Sequence, residues 1–427
     1  MKSGENEMAS KERIYFVIDM KSFFASVECA ERGLDPYTTP LVVADIERTK
    51  SSICLAVSPK MKQMGVKNRC RLFEIPPNME YIIAKPQMKK YIKYAADIYG
   101  IYLKYIAPSD IFVYSIDECF IDATDYLKLY KLTPVAFAKK LMDEISSTLG
   151  IPASAGIGTN LYLAKIALDI TAKHKPNHIG FLNEKLFKET LWNHRPLSDF
   201  WGISRGISAR LSKYGILDMQ GIANMDEDIL YREFGVNAEL LIDHSKGIEP
   251  CLMSDIKAYK SQSKSLSSSQ ILPCDYSYTD AKVILKEMLQ NGCYDMFREG
   301  YVTSLIHILI GYGDDRDNFA KGTIRLPITT NLYTEIEPFV SATFDRVVDR
   351  TRPIRKIGYD LAELQPSREE SYDLFTDMKK VTKQKNLTKS ILSIQDTYGK
   401  NALLKGIDLL DKATIRERNG MVGGHRG

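Results

Sequence analysis

Apolar and polar positions change their spacing twice along the chain. From 13 to 185, short unbroken apolar runs alternate with longer stretches of helical period. "YFVI" (15–18), "LVVA" (41–44), "ICLAV" (53–57) and "IFVYSI" (111–116) read as strands, and 87–106 and 134–149 read as helices. Such mixing predicts an α+β layer, a sheet backed by helices. Residues 186 to about 253 lose the strand signal and read as short helices, "ISARLSKYGI" and "NAELLIDHSKGI" among them. The polar, Ser/Lys-rich stretch 254–270 reads as a linker or an edge strand leaving a domain boundary. Beyond it, the amphipathic "TDAKVILKEMLQNGCYDMFREG" and the strand-like "YVTSLIHILIGY" predict a second, smaller α+β unit from 265 to about 360. Residues 1–12 read as a loose polar tail, and the last sixty-odd residues as polar, extended chain until "GKNALLKGIDLL". No internal repeat is visible.

Composition narrows the class. A chain of 427 residues suits three or four domains, and 44% hydrophobic with 26% charged residues marks a soluble globular protein. No apolar run approaches the roughly 18 residues of a membrane span, and no signal-peptide pattern precedes Ile14. The seven cysteines are scattered, odd in number and without a CxxC pair. That spacing argues against a zinc site or a disulfide framework and for a reducing cytoplasm. The net charge of +4 permits a polyanionic partner without requiring one. Local basic clusters say more: Lys60, Lys62, Lys67, Arg69 and Arg71 early, and Lys379, Lys380, Lys383, Lys385 and Lys389 late. A charge run of this kind is usually a solvated face.

Two acidic features stand out. The strand ending "YFVID" finishes on Asp19, and "VYSIDECFIDAT" (113–124) brings two strand-like runs together at Asp117-Glu118, a hairpin with adjacent acids at or near its apex. Asp-Glu is poor turn chemistry, although a solvent-exposed turn tolerates it. Three carboxylates at the ends of neighbouring buried strands repel unless a cation sits among them. An all-oxygen donor set favours hard ions such as Mg²⁺ or Mn²⁺. Two such ions would serve in-line phosphoryl chemistry, and the residues alone stop at metal-dependent phosphoryl or nucleotidyl transfer.

"IDMKSFFASVE" and "YSIDECFID" closely resemble the two catalytic motifs of Y-family (translesion) DNA polymerases. "GIGTNLYLAKIALDITAKHKPN" (156–177), "FWGISRGISARLSKYGI" (200–216) and the end "GKNALLKGIDLLDKATIRERNGMVGGHR" match further family segments in order. The last of these is similar to the UmuC-like branch of Gram-positive bacteria, their phages and plasmids. The resemblance spans nearly the whole chain. It implies a right-hand polymerase of α+β class, with a ferredoxin-like palm, small fingers, a helical helix-hairpin-helix thumb and an α+β little finger. The expected bounds are palm 13–30 and 85–185, fingers 31–84, thumb 186–253, linker 254–264, little finger 265–365 and tail 366–427.

The same resemblance assigns residues. Asp19 and Asp117 would contact two Mg²⁺ ions (or Mn²⁺), Glu118 the ion that activates the primer 3′-OH, and the carbonyl of Met20 would complete one shell. The reaction would be attack on the α-phosphate of a deoxynucleotide with release of pyrophosphate. Phe24 matches the steric gate that rejects a 2′-OH, Phe23 reads as core beside it, and their amides near a helix N-terminus suit triphosphate oxygens. Lys62 matches the basic phosphate ligand of the fingers, with Pro59 where the family has tyrosine. Lys173 matches the second cation, with Lys175 as rival. Gly202 and Gly206 would let the thumb's loop amides approach DNA phosphates, and Ser204 departs mildly from a common glycine.

A two-metal nuclease would share the carboxylates but needs neither gate nor triphosphate lysines. An inactive DNA-binding homologue would not retain all three acids. No proofreading exonuclease precedes the palm, so low-fidelity translesion synthesis on primer-template DNA with dNTPs is expected, in the setting of DNA damage and the SOS response. "SYDLF" (371–375) resembles the bacterial clamp-binding peptide at Asp373, Leu374 and Phe375, which adds a sliding clamp as partner; packing on the little finger is the alternative. A UmuD-like or recombinase partner also belongs to the family's range.

Overall fold

In a computed structural model of the chain, residues 13–46, 52–261, 263–315 and 317–426 are described. The expected tail 1–12 lies outside the described residues. The chain forms two compact units, one reaching Tyr259 and one spanning Lys260–Arg426.

The first unit begins with β1 (Tyr15–Met20), α1 (Phe23–Ala30), β2 (Leu41–Val43), β3 (Ala56–Val57), α2 (Pro59–Gln63), β4 (Ile82–Ala84) and α3 (Met88–Leu103). It continues with β5 (Ile111–Val113), β6 (Glu118–Asp122), α4 (Thr124–Tyr130), α5 (Pro134–Leu149), β7 (Ala153–Gly158), α6 (Leu161–Ile166) and β8 (Ile179–Leu182). Five strands join in the order β5-β6-β1-β7-β8, and β1, fully apolar from Tyr15 to Ile18, lies at the centre. A separate small sheet, β3-β2-β4, carries its own core of Val42, Cys54, Val57, Met61 and Leu72. "ICLAV" yields only two strand residues, Ala56–Val57.

Helices follow: α7 (Glu184–Leu191), α8 (Arg205–Ser212), α9 (Met219–Ala223), α10 (Glu227–Phe234), α11 (Asn237–Lys246) and α12 (Met253–Ala258). Ser204, Asp218 and Asp226 cap α8, α9 and α10 through side-chain oxygens, which explains why a polar segment breaks into short helices. Residues 254–264 are not simply a linker. Residues 253–258 form α12, because Met253 is drawn into a core with Tyr15, Val17 and Phe120.

The second unit contains β9 (Leu266–Tyr276), α13 (Tyr278–Glu299), β10 (Tyr301–Tyr312), β11 (Phe319–Thr330), α14 (Tyr333–Val347), β12 (Ile354–Ala362), α15 (Met378–Tyr398) and α16 (Ile415–Arg418). Its sheet order is β11-β10-β12-β9, antiparallel throughout, so the stretch expected as linker or edge strand supplies the edge strand β9. Ile306, Ile308 and Ile310 of β10 face one core with Ile284, Leu285 and Met288 of α13 and Phe344 of α14. The tail is not extended. Residues 378–398 are one long helix, capped by Asp377, with Val381 and Leu392 buried. Their low mean hydropathy hid a helix that needs only a narrow apolar stripe. Among the described residues no helix is long and apolar enough to cross a membrane.

Candidate active site

The register of the central sheet sets the acids. Across β1 and β6, Asp19 stands opposite Glu118. Asp117 is the last residue of the turn before β6; its carbonyl accepts from Met20 N at 3.0 Å and its Oδ1 from Ser115 Oγ at 2.7 Å. The hairpin's apex is therefore Ser115–Ile116, and the acids sit on its returning arm. That placement gives the unfavourable Asp-Glu pair a backbone anchor instead of a turn to make.

Burial and the neighbouring Asp117 and Glu118 push the Asp19 carboxyl up to about 8. Burial also raises Glu118, against the lowering pull of Lys165. Lys165 is a residue the sequence reading missed. Its ammonium lies 2.8 Å from Glu118 Oε1 and 3.0 Å from Asp169 Oδ1, with its own side chain nearly buried. Burial lowers the Lys165 amine, but Asp169 and Glu118 outweigh it and leave it raised.

Glycines bring this lysine in. A Cβ on Gly156 would meet the Ala164 carbonyl oxygen at 2.1 Å, and one on Gly158 the Ala164 nitrogen at 2.1 Å. Only a bare backbone lets α6 lie this close to the sheet.

Glu118 Oε1, though close to Lys165, has no well-angled hydrogen-bond donor and is buried. Three carboxylates that meet here, with Asp19 pushed up by its two acidic neighbours, offer the all-oxygen donor set that fits a hard cation. Among the described residues no three His, Cys, Asp or Glu side chains form a ready-made cage. Magnesium commonly completes its shell with water and substrate phosphate, so the donor set remains suitable.

Beside the acids lies a basic group. Burial lowers the Lys62 amine, and Lys173 lowers it further while Asp19 acts the other way. Lys21, also missed from the sequence, is lowered to about 8 by burial and by Lys62. Lys62 and Lys21 are thus electrostatic neighbours of each other and of Asp19, and Lys173 is a neighbour of Lys62. Lys173 and Lys175 are both exposed, and it is Lys173 that acts on Lys62.

Phe23 is buried and Phe24 half-buried at the start of α1. Phe24 stacks on Tyr91 with ring centroids 4.5 Å apart. The Tyr91 hydroxyl donates to Glu28 Oε1 at 2.8 Å, and Gln87 Nε2 donates to the same oxygen at 3.1 Å. Glu28 is fully buried and also paired with Arg32. No local signal could have shown this brace, whose members lie on two helices more than fifty residues apart.

Gly202, with φ of 89°, turns the loop before α8. Gly206 lies in the first turn of that helix, where an added Cβ would meet nothing nearer than Ser204 Oγ at 3.8 Å. Both are open to a close approach. In the second unit, Leu374 is 99% and Phe375 94% exposed. They project from a turn in which Asp373 Oδ1 accepts from Phe375 N at 3.0 Å. Tyr372 is half-buried, so the peptide is held at one side of the exposed pair.

Residues 18–169 match the impB/mucB/samB family, and residues 263–374 match the impB/mucB/samB family C-terminal domain. DNA polymerase IV 2 of Bacillus subtilis is 30% identical over 97% of this chain and 99% of its own length. DNA polymerase IV 2 of Halalkalibacterium halodurans is 26% identical over 97% of this chain and 99% of its own. Among solved structures, a Y-family DNA polymerase chimera of Dbh and Dpo4 is 23% identical, with a TM-score of 0.63 over 82% of this chain and 98% of that one. The fold is therefore that of these polymerases.

Proposed function

The chain belongs to the impB/mucB/samB family of Y-family DNA polymerases, and we propose on that footing that Asp19, Asp117 and Glu118 form its nucleotidyl-transfer centre. It is a DNA-directed DNA polymerase of the translesion class. Divalent-metal dependence goes with the family. The finer reading is two Mg²⁺ ions, with Mn²⁺ as substitute, held by Asp19, Asp117, Glu118 and the Met20 carbonyl. Ions bound there would polarise the phosphoryl oxygens and lower the pKa of the attacking hydroxyl.

The single observation that carries this assignment is the register that sets Asp19 opposite Glu118, next to Asp117. The substrates are primer-template DNA and a dNTP. The primer 3′-oxygen bonds to the α-phosphorus, the bond to the bridging oxygen breaks, and pyrophosphate leaves. Lys62 and Lys173 bind the triphosphate, supported by the field of Lys173 at Lys62, which also feels Asp19. Phe24 stands as the gate against a 2′-OH, supported by the rigid stack behind it. Gly202 and Gly206 give the thumb loop room for DNA phosphates. Exposed Lys321 and Arg325 alternate with buried Ile324 and Leu326 on β11, which supports a DNA-facing surface on the second unit.

The exposure of Leu374 and Phe375 supports a sliding-clamp peptide. A UmuD-like or recombinase partner remains within the proposal, supported by the family alone. Seven free cysteines support the cytoplasm as the compartment. The test is primer extension in Mg²⁺ on intact and lesion-bearing templates. Asp117→Ala should abolish addition and leave primer-template binding within a few fold. Extension by that variant at the wild-type rate would sink the centre proposed here.

A further inference from the structure

The hairpin that carries Asp117 and Glu118 is touched from the helical segment by Met253 of α12, which packs on Phe120, and by Trp201. Trp201 Nε1 donates to the Tyr114 hydroxyl at 3.1 Å, with the rings edge-to-face at 6.2 Å. Trp201 also lies 6.4 Å from the Phe120 ring, and Tyr114 lies 5.5 Å from the same ring. Three aromatics from a loop, a turn and a strand thus close on one another. Edge-to-face packing of this kind has a preferred geometry, so it fixes relative position as well as burying area.

Both ends of this contact lead somewhere. On one side, Trp201 immediately precedes Gly202, whose φ of 89° turns the loop into α8. A cleft there is lined by Trp201, Gly202, Ser204 and Asp169 among others. On the other side, the Tyr114 and Ser115 amides donate to the Glu118 carbonyl at 3.0 and 3.1 Å. The Lys165 ammonium that holds the Glu118 carboxylate and Asp169 lies 6.0 Å from the centre of the Tyr114 ring. Trp201 is further seated against His244, 6.3 Å away, which stacks on Tyr162 of α6.

We propose that Trp201 and Tyr114 form a strut that sets the carboxylate hairpin in register with the DNA phosphates held at the Gly202 loop. Trp201 is in this sense a positioning residue. It touches no reacting atom, and acts through Tyr114 on Glu118 and Lys165. Without the strut, the loop can still grip DNA, but the primer end and the acids no longer arrive together. The proposal rests on the reading of Asp19, Asp117 and Glu118 as the nucleotidyl-transfer centre.

The chain has two tryptophans, which supplies a readout other than synthesis. Trp192, whose Nε1 donates to Ser245 O at 2.7 Å, can be removed as Trp192→Phe to leave Trp201 as the single emitter. Mg²⁺ titrated into that variant should change the Trp201 emission, and the change should vanish when Asp117→Ala is added. In steady-state extension, Trp201→Ala should lower kcat by roughly tenfold or more, the scale of small misplacements in an active site. Its KM for primer-template should stay within about threefold, since the loop amides still bind phosphate. Trp201→Phe and Tyr114→Phe keep the ring packing and lose the hydrogen bond, so both should fall between wild type and Trp201→Ala.

A rise in KM with kcat unchanged would make Trp201 part of the DNA grip only and overturn the strut. So would a Trp201 emission indifferent to Mg²⁺ over the range that supports synthesis. Should Trp201→Ala fail to fold, the two phenylalanine variants decide, and wild-type kcat in both overturns it. Full synthesis by Asp117→Ala would instead remove the underlying assignment of the acids.

Discussion

Tyr91 stacks against Phe24 at 4.5 Å with the ring planes 15° apart, and its hydroxyl is fixed by the buried carboxylate of Glu28. A ring proposed to exclude one hydroxyl group must not yield when pressed, and this one is backed by a second ring that is itself hydrogen-bonded. Phe24→Ala is expected to admit ribonucleotides with a modest loss of dNTP efficiency. Tyr91→Ala should relax the same discrimination less, because the gate remains but can tilt. The ratio of kcat/KM for dNTP and rNTP checks both. Unchanged discrimination in Phe24→Ala would place the gate elsewhere.

Phe23, adjacent in sequence, is expected to behave differently. It is buried in the core, so Phe23→Ala should destabilise the fold by about 3–5 kcal/mol, the usual cost of truncating a buried Phe. Denaturant unfolding measures it, and a loss below about 1 kcal/mol would show a site that collapses around the cavity.

Lys165 neutralises part of the acid cluster from a nearly buried position. Lys165→Met leaves Glu118 and Asp169 without that charge, and removing one partner of a buried pair costs about 3–5 kcal/mol. Part of the loss should return in Mg²⁺, because a divalent ion would take over the neutralising role. Thermal unfolding in EDTA and in Mg²⁺ tests this. Equal stabilisation of wild type and variant by Mg²⁺ would separate Lys165 from the acids.

Glu287 supplies a pH dependence in the second unit. It is 1% exposed, and burial raises its carboxyl to about 7, against hydrogen bonds from Thr414 N and Ile415 N and with Asp408 adding to the rise. A folded pKa above the unfolded one of 4.5 means that the folded state binds the proton more tightly. Stability from this group is therefore full below about 4.5 and is lost as pH rises through about 7. Glu287→Gln keeps an acceptor for Thr414 N and should flatten the decline in Tm between those values. A slope as steep as that of wild type would assign the dependence to other groups.

Leu374→Ala with Phe375→Ala is expected to remove stimulation by a sliding clamp while unaided extension of short primers survives. Both side chains are almost wholly in solvent, so the pair can be cut without opening the core. A few apolar anchors carry most of such a peptide's binding energy. Full stimulation of the double variant, measured on clamp-loaded primer-template, would return the segment to a purely local role.

The sequence by itself determined the element types that local chemistry controls. α5 runs over Pro134–Leu149 because Thr133 caps it and Pro134 opens it, and β10 covers Tyr301–Tyr312 because β-branched and aromatic residues dominate it. It also marked Asp19, Asp117 and Glu118, since a buried strand ending in acid is chemically out of place. It did not mark the helix 378–398, where a narrow apolar stripe is swamped by lysines and threonines. Only the tertiary structure decided which acids meet and what holds them. The register of β1 on β6 places Asp19 opposite Glu118, and a one-residue slip would turn each side chain to the other face. Lys165, 47 residues beyond Glu118, reaches it only because Gly156 and Gly158 let α6 settle on the sheet. Tyr91 behind Phe24 and Trp201 against Tyr114 are likewise contacts between distant segments. Such contacts depend on how elements pack in three dimensions, and local spacing along a chain carries no record of that.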